Sequence, residues 1–119
     1  MKDIQPQDRL VANVRHDAFA PWINADGRDS GTAVLQLGDR AEMGVGFHIY
    51  RMAPGTSSEA HEHRGDEEFF VIEGSLRDND GTVYRTGDLV LLKDSTQHYS
   101  VSDEGCLLAV YIHKAETNL

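Results

Sequence analysis

The chain reads as an all-β protein, a single antiparallel sandwich or barrel. Three observations carry that reading. Apolar and polar residues alternate over short segments, as they do along half-buried strands. Turn clusters separate those segments: "GDR", "APGTSS", "RGD", "DNDG", "RTGD" and "SDEG", whose glycines supply positive φ and whose Asp, Asn and Ser bond their own backbone. The length, 119 residues, suits one core, because single domains cluster near about 100 to 150 residues.

In order, residues 1–30 are expected to form an N-terminal arm and an edge strand packed on a barrel of residues 31–119. Within the barrel the candidate strands are Ala33 to Leu37, Val45 to Met52, Ala60 to His63, Glu67 to Glu73, Ser75 to Asp78, Val83 to Arg85, Asp88 to Leu92, Tyr99 to Ser102 and Cys106 to His113. In "GVGFHIYRM" the period of two puts Val45, Phe47 and Ile49 on one face and His48, Tyr50 and Met52 on the other. Both faces are partly apolar, which suggests a strand lying between a core and a second buried surface, such as a homodimer contact. "CLLAVYIH" is similar. Phe69, Val71, Leu89, Leu91, Leu107 and Tyr111 are read as core or cavity wall. Asp66, Glu68 and Glu73 are read as a solvated edge.

Composition excludes several classes of function. A formal charge of −9 repels phosphate backbones, and the Lys and Arg are scattered singly, so nucleic acid is not an expected partner. No apolar run approaches the roughly 18 residues of a membrane span, and "MKDIQPQDRL" lacks the apolar region of a secretory signal. The cytoplasm is therefore the expected location. The single cysteine, Cys106, excludes an internal disulfide framework and a Cys-rich zinc module. It reads as a small buried hydrophobe in a strand.

The chemistry concentrates in "PGTSSEAHEHRGDEEFFVIEG", Pro54 to Gly74. If the turn "RGD" preserves the face, His61, His63 and Glu67 point the same way as Phe69 and Val71. Two imidazoles at alternate strand positions can grip one ion, and a carboxylate from the next strand can add an anionic ligand. His-x-His alone is a weak signal, but with Gly55, Glu67 and Gly74 at fixed distances the pattern is far rarer. Glu68 can replace Glu67 only by reversing strand parity. A second segment, "GDLVLLKDSTQH", Gly87 to His98, is Gly-Asp, an apolar strand, a polar turn and a histidine. His98 would be the fourth ligand.

These two segments resemble the paired motifs of the cupin superfamily, a small jelly-roll barrel (a double-stranded β-helix). The resemblance implies a metal held by His61, His63, Glu67 and His98. In the second motif the family usually has Pro at Lys93, Gly at Ser95 and Asn at Ser102, positions that shape the turn. "YRMAPGT", "HEH", "DEEFFVIEG", "RDNDGTVYRTGD", "STQH" and "SDEGCLLAVYIH", with "PW" at Pro21 and Trp22, are similar to the cupin domain of ChrR-type anti-sigma factors and its stand-alone relatives. ChrR-type proteins carry a helical zinc domain before the cupin, and the short arm here offers no counterpart, so sigma-factor control is not carried over. Other members of the branch are metal-dependent dioxygenases acting on diketones or hydroxylated aryl ketones. Some coordinate through three histidines alone, which would leave Glu67 behind the ligands.

A site of imidazoles and one carboxylate suits Fe(II), Mn(II), Ni(II), Co(II) or Zn(II). Four protein ligands leave two positions on a six-coordinate ion for a chelating substrate or dioxygen. Three functions follow: a dioxygenase-like oxidoreductase acting on a small carbonyl or enolisable substrate, a non-catalytic metal- and ligand-binding sensor module, or an isomerase or lyase using His48 or Tyr50 as base. Arg51, Gln97, His48 and Tyr50 are candidates to orient a substrate, although an ion pair is the more ordinary role for Arg51. His16, His48 and His113 lack a spaced partner and read as exposed or hydrogen-bonded structural residues.

Overall fold

The computed structural model of the chain describes residues 1–38 and 41–119. Asp39 and Arg40 of the expected "GDR" turn lie outside the described residues. After a 3-10 turn, Pro6–Asp8, twelve strands follow: β1 (Ala20–Ile23), β2 (Asp29–Leu35), β3 (Gly46–Met52), β4 (Thr56–Ser57), β5 (His61–Glu62), β6 (Glu67–Asp78), β7 (Val83–Arg85), β8 (Leu89–Leu92), β9 (Gln97–His98), β10 (Ser100–Ser102), β11 (Cys106–Ile112) and β12 (Thr117–Asn118). Among the described residues there is no α-helix, so the all-β expectation holds.

The pairings are antiparallel throughout and form two sheets. A curled sheet runs β1-β2-β3-β11-β6-β10-β4, with β7 and β8 also paired to β6, and a small sheet runs β12-β5-β9. Strands β6 and β11 form the spine, paired from Ile112↔Glu67 to Cys106↔Gly74. β6 is one long strand, whereas two had been expected, Glu67 to Glu73 and Ser75 to Asp78. In place of a break, the strand bulges at Ile72, which has no partner between the Leu108↔Val71 and Leu107↔Glu73 pairs; nearby Gly74 has φ +78°, and a Cβ there would collide with the Gly105 carbonyl oxygen. A glycine lets the strand bend without ending.

The core is the concave face of the curled sheet: Met52, Phe69, Val71, Leu76, Cys106, Leu108, Val110 and Ile112 are all buried. Parity along β6 puts Glu67, Phe69 and Val71 inward and leaves Glu68 and Phe70 exposed. Leu89, Leu91, Leu107 and Tyr111 correct the sequence reading. Leu89 pairs with Phe70 and Leu91 with Glu68, and Tyr111 pairs with Phe47 and Glu68, so all three share the convex face. Leu107, opposite Arg51, lies half-buried on the same face. Directly paired residues of an antiparallel sheet project to one side, so Val90 and Leu92 go inward in place of Leu89 and Leu91.

Candidate metal centre

The short strands of the small sheet position the histidines. His61 on β5 and His98 on β9 are directly paired, while the neighbouring pair Glu62 and Gln97 faces the other way. His63 continues β5, its N–H bonded to the Thr96 carbonyl at 2.9 Å. The three imidazoles come together, with ring centroids 5.1 Å apart for His61 and His63, 4.6 Å for His61 and His98, and 4.7 Å for His63 and His98. Glu67, at the start of β6, brings its Oε1 to 3.6 Å from His63 Nε2.

The hydrogen bonds fix which nitrogen of each ring is bare. His61 Nδ1 lies 2.7 Å from the Glu59 carbonyl, which can only accept, so Nδ1 carries the proton. His63 Nδ1 lies 2.9 Å from Thr96 Oγ1, and that hydroxyl already donates to the Lys93 carbonyl, so it accepts from His63. His98 Nδ1 donates to Asp78 Oδ1 at 3.0 Å. Every Nδ1–H is thus held from outside, and every Nε2 presents a lone pair to the shared interior. His61 Nε2 and His63 Nε2 are buried with no hydrogen-bond partner among the described residues, although His61 is 6 % and His63 2 % exposed. Orphaned acceptors of this kind are costly. One divalent cation would satisfy both, and a ring nitrogen tied to an outer acceptor is the usual arrangement behind a metal-bound histidine. One candidate ligand atom from each of His61, His63 and His98 lies within 4.8 Å of the others, and the same is true of His63, Glu67 and Glu116.

Burial works against a charge on His98, but the hydrogen bond and charge of Asp78 outweigh it and raise the His98 pKa. Burial lowers the His61 pKa, which keeps the ring neutral and able to ligate. Burial pushes the Glu67 carboxyl up, but its neighbours His63, Glu116 and His98 outweigh it, so Glu67 is held below the ordinary range. Burial likewise opposes ionisation of Asp78, and the hydrogen bonds from His98, Tyr84 and Ser100 reverse the effect and keep it anionic.

The centre opens into a cavity of about 530 Å³ between the two sheets, walled by Met52, Phe69, Leu76, Leu108 and Val110, with His48 and Tyr50 among its polar lining. His48 Nδ1 donates to the Gly46 carbonyl at 3.0 Å, and burial lowers its pKa, leaving a neutral Nε2 acceptor. Burial pushes the Tyr50 hydroxyl up to about 12, so it remains a donor.

A family profile described as the ChrR cupin-like domain matches residues 11–116. The chain belongs to that family. No curated protein matches it. Among solved structures it is similar to an acetylacetone dioxygenase from Acinetobacter johnsonii (TM-score 0.75, 14% identity, 100% of this chain and 82% of that one). It is also similar to an RmlC-like cupin from Ralstonia eutropha (TM-score 0.69, 16% identity, 90% and 69%). A third likeness is to the Rhodobacter sphaeroides complex of SigE with the anti-sigma ChrR (TM-score 0.64, 17% identity, 89% of this chain and 51% of that one). The chain therefore spans about half of that last structure's chain. At these identities the likeness establishes the cupin fold.

Within this ChrR cupin-like domain the other expected site residues separate. Arg51 and Gln97 do not line the cavity. The Arg51 guanidinium lies 4.1 Å from the centroid of the Phe19 ring on the outer face, a cation–π contact in place of the expected ion pair. Gln97 Nε2 donates to Glu62 Oε1 at 2.9 Å, on the side of the small sheet away from His61 and His98. Strand parity decides both; of the four residues, His48 and Tyr50 line the cavity. His16 and His113 are exposed. Cys106 is buried in β11 as expected.

Three polar groups escaped the sequence reading. Asp78 sits in the "RDND" segment read only as strand end and turn, yet it holds His98. Glu116, in the C-terminal "KAETNL", lines the cavity, its Oε2 3.4 Å from His61 Nε2. The Asn24 side-chain oxygen is buried without a partner among the described residues and also faces the cavity. None of the three has a spacing signal, because each reaches the site through long-range strand pairing.

Proposed function

We propose that this cupin is a metal-dependent oxidoreductase, dioxygenase-like, that binds one divalent transition ion through His61, His63, His98 and Glu67 and acts on a small carbonyl or enolisable substrate. The observation that carries this reading is the set of three imidazoles whose Nδ1–H groups are all anchored outward, two of whose Nε2 atoms are buried and unpartnered. Fe(II), Mn, Ni or Zn fits such donors. A bound ion would supply Lewis acidity to the substrate oxygens and, if redox-active, a path for electrons from the enolised substrate to dioxygen.

The chain's own side chains do the rest. The apolar wall excludes water and strengthens every polar contact inside. His48 Nε2, neutral and bare, is placed to accept the proton lost as a ketone enolises. The Tyr50 hydroxyl, fully protonated near neutral pH, is placed to donate to a substrate oxygen, and the Asn24 oxygen offers a further acceptor. The likeness to an acetylacetone dioxygenase supports this substrate class. The likeness to a ChrR complex supports a second reading, a sensor module that binds metal and ligand without turnover.

The test is elemental analysis of anaerobically purified protein together with dioxygen uptake against β-diketones and hydroxyaryl ketones. Iron with substrate-dependent uptake supports the oxygenase. One tightly held zinc, ligand-induced thermal shift and no uptake support the sensor. Protein that takes up no ion would refute both.

The convex face of β3, β11, β6 and β8 exposes Phe47, Phe70, Ile72, Leu89, Leu91 and Tyr111, an apolar surface interrupted by Glu68 and, toward one end beside Leu107, by Glu73 and Arg51. Surfaces of this kind mark association, and we take a second copy of the chain to cover it, forming a homodimer. Sedimentation of the wild type and of Leu89→Lys checks this, the variant being expected to sediment as a monomer. Among the described residues no helix is long and apolar enough to cross a membrane. Cys106, buried and unpaired, suits the reducing cytoplasm.

A further inference from the structure

We propose that Glu116 is an internal, displaceable ligand: its carboxylate occupies a coordination position that a chelating substrate must take from it. The inference rests on the metal-centre reading above and concerns what lies opposite the four expected ligands.

Glu116 immediately precedes β12, and β12 is bonded to the strand that carries His61. Thr117 pairs with Glu62 and Asn118 with His61, and the Leu119 N–H donates to the Ala60 carbonyl at 3.0 Å. The backbone on the C-terminal side of Glu116 is thereby fixed to the histidine strand, and the side chain turns into the cavity. Its Oε2 lies 3.4 Å from His61 Nε2, and its carboxyl group faces that of Glu67. A ligand atom of Glu116 falls within 4.8 Å of one on His63 and one on Glu67. A carboxylate pointing at two orphaned imidazole nitrogens and at a second carboxylate is the contact set of a shared cation, since two facing carboxylates otherwise need a proton between them.

The functional consequence follows from counting positions. Three imidazoles and Glu67 leave two sites on a six-coordinate ion, and Glu116 fills one of them. A monodentate ligand can use the remaining site, but a chelate has to displace Glu116. A chelator that binds as its conjugate base leaves one proton in the site for the displaced Glu116 carboxylate to take, so the charge of the water-poor cavity is unchanged, whereas a ligand with no proton to give would leave that carboxylate bare in apolar surroundings. The occupant is therefore a bidentate monoanion of oxygen donors, the enolate of a β-dicarbonyl being the simplest case. Because Glu116 lies just before β12 and is not itself paired in the sheet, turning its side chain away leaves those strand pairings intact.

Cobalt(II)-loaded wild type, Glu116→Ala and Glu116→Gln test this, since the visible d–d bands of cobalt(II) report its coordination number and ligands. All three proteins are expected to bind one cobalt per chain, with the variants' bands displaced from the wild-type spectrum. Acetate added to Glu116→Ala should restore the wild-type bands, and acetylacetone should bind to Glu116→Ala about tenfold more tightly than to wild type, as expected when a competing internal ligand is removed. Glu116→Gln keeps the side-chain volume, so the result survives if the alanine variant folds poorly. Identical spectra and identical acetylacetone affinity at one cobalt per chain would overturn the role of Glu116 and leave the metal centre intact. Failure of the wild type to bind cobalt would remove the metal centre itself.

Discussion

Replacing Asp78 with asparagine tests the site through a residue that touches no ligand position. Asp78 accepts three hydrogen bonds, from His98 Nδ1 at 3.0 Å, from the Ser100 hydroxyl at 2.7 Å and from the Tyr84 hydroxyl at 2.6 Å. Asparagine preserves the shape and can still accept from His98, while its NH2 can donate to the Tyr84 oxygen, so the barrel should fold. What is lost is the charge: a charge-assisted bond to the ring becomes a neutral one of roughly half the strength. The imidazole is then a poorer electron donor and is less firmly aimed. Outer partners of metal-bound histidines are typically worth about 10- to 100-fold in metal affinity, or about 1.4 to 2.8 kcal/mol. Competition against a chromophoric chelator, with zinc(II) and anaerobically with iron(II), measures the dissociation constant directly. Asp103→Asn is the control, because its ion pair with Arg77 at 3.3 Å lies on the surface and should contribute at most about 1 kcal/mol to stability and nothing to binding. An Asp78→Asn protein that holds one ion per chain with wild-type affinity would refute the reasoning.

Three other outcomes are expected. Met52, 1 % exposed in the core, should cost about 2 to 5 kcal/mol of unfolding free energy when changed to alanine, read by urea denaturation. Ser95 adopts φ +69°, a left-handed conformation that costs an L-residue about 1 to 2 kcal/mol. Part of the gain from Ser95→Gly is offset by glycine's greater unfolded entropy, so that variant should be stabilised by about 0.5 to 1 kcal/mol, seen as a higher Tm with metal affinity unchanged. Metal removal should lower Tm, since an ion at a hundredfold excess over its dissociation constant stabilises by about 2.7 kcal/mol, and His61→Ala should abolish that shift. The same thermal shift should shrink on acidification, where protons compete for the imidazole lone pairs. Burial, which lowers the His61 pKa, delays that competition at His61, and Asp78, which outweighs burial and raises the His98 pKa, brings it on earlier at His98.

The expectation for Ser95 ties a departure in sequence to a feature of the backbone. At the position where the cupin motif usually has glycine, the chain keeps the positive φ and tolerates a side chain. The turn is held from both sides: the Ser95 N–H donates to the His63 carbonyl at 3.0 Å, and the Asp94 carboxylate accepts from the Gly65 N–H at 2.8 Å. Those bonds lock the loop that carries Thr96, and Thr96 in turn fixes the tautomer of His63.

The sequence by itself determined the elements and the near-neighbour chemistry. Alternation at period two and turn residues mark strands because both are local properties of the backbone, and strand parity put His61 and His63 on one face before any pairing was known, with Glu67 joining them only if the "RGD" turn kept that face. The direction in which Leu89 and Leu91 point, and the separation of Arg51 and Gln97 from the cavity, depended on register, which a single-residue offset inverts. The arrival of Asp78 behind His98, 20 residues away, and of Glu116 beside His61 was decided only by tertiary structure. Those contacts are made across strands brought together by the folding of the whole sheet, and no spacing along the chain encodes the distance between them.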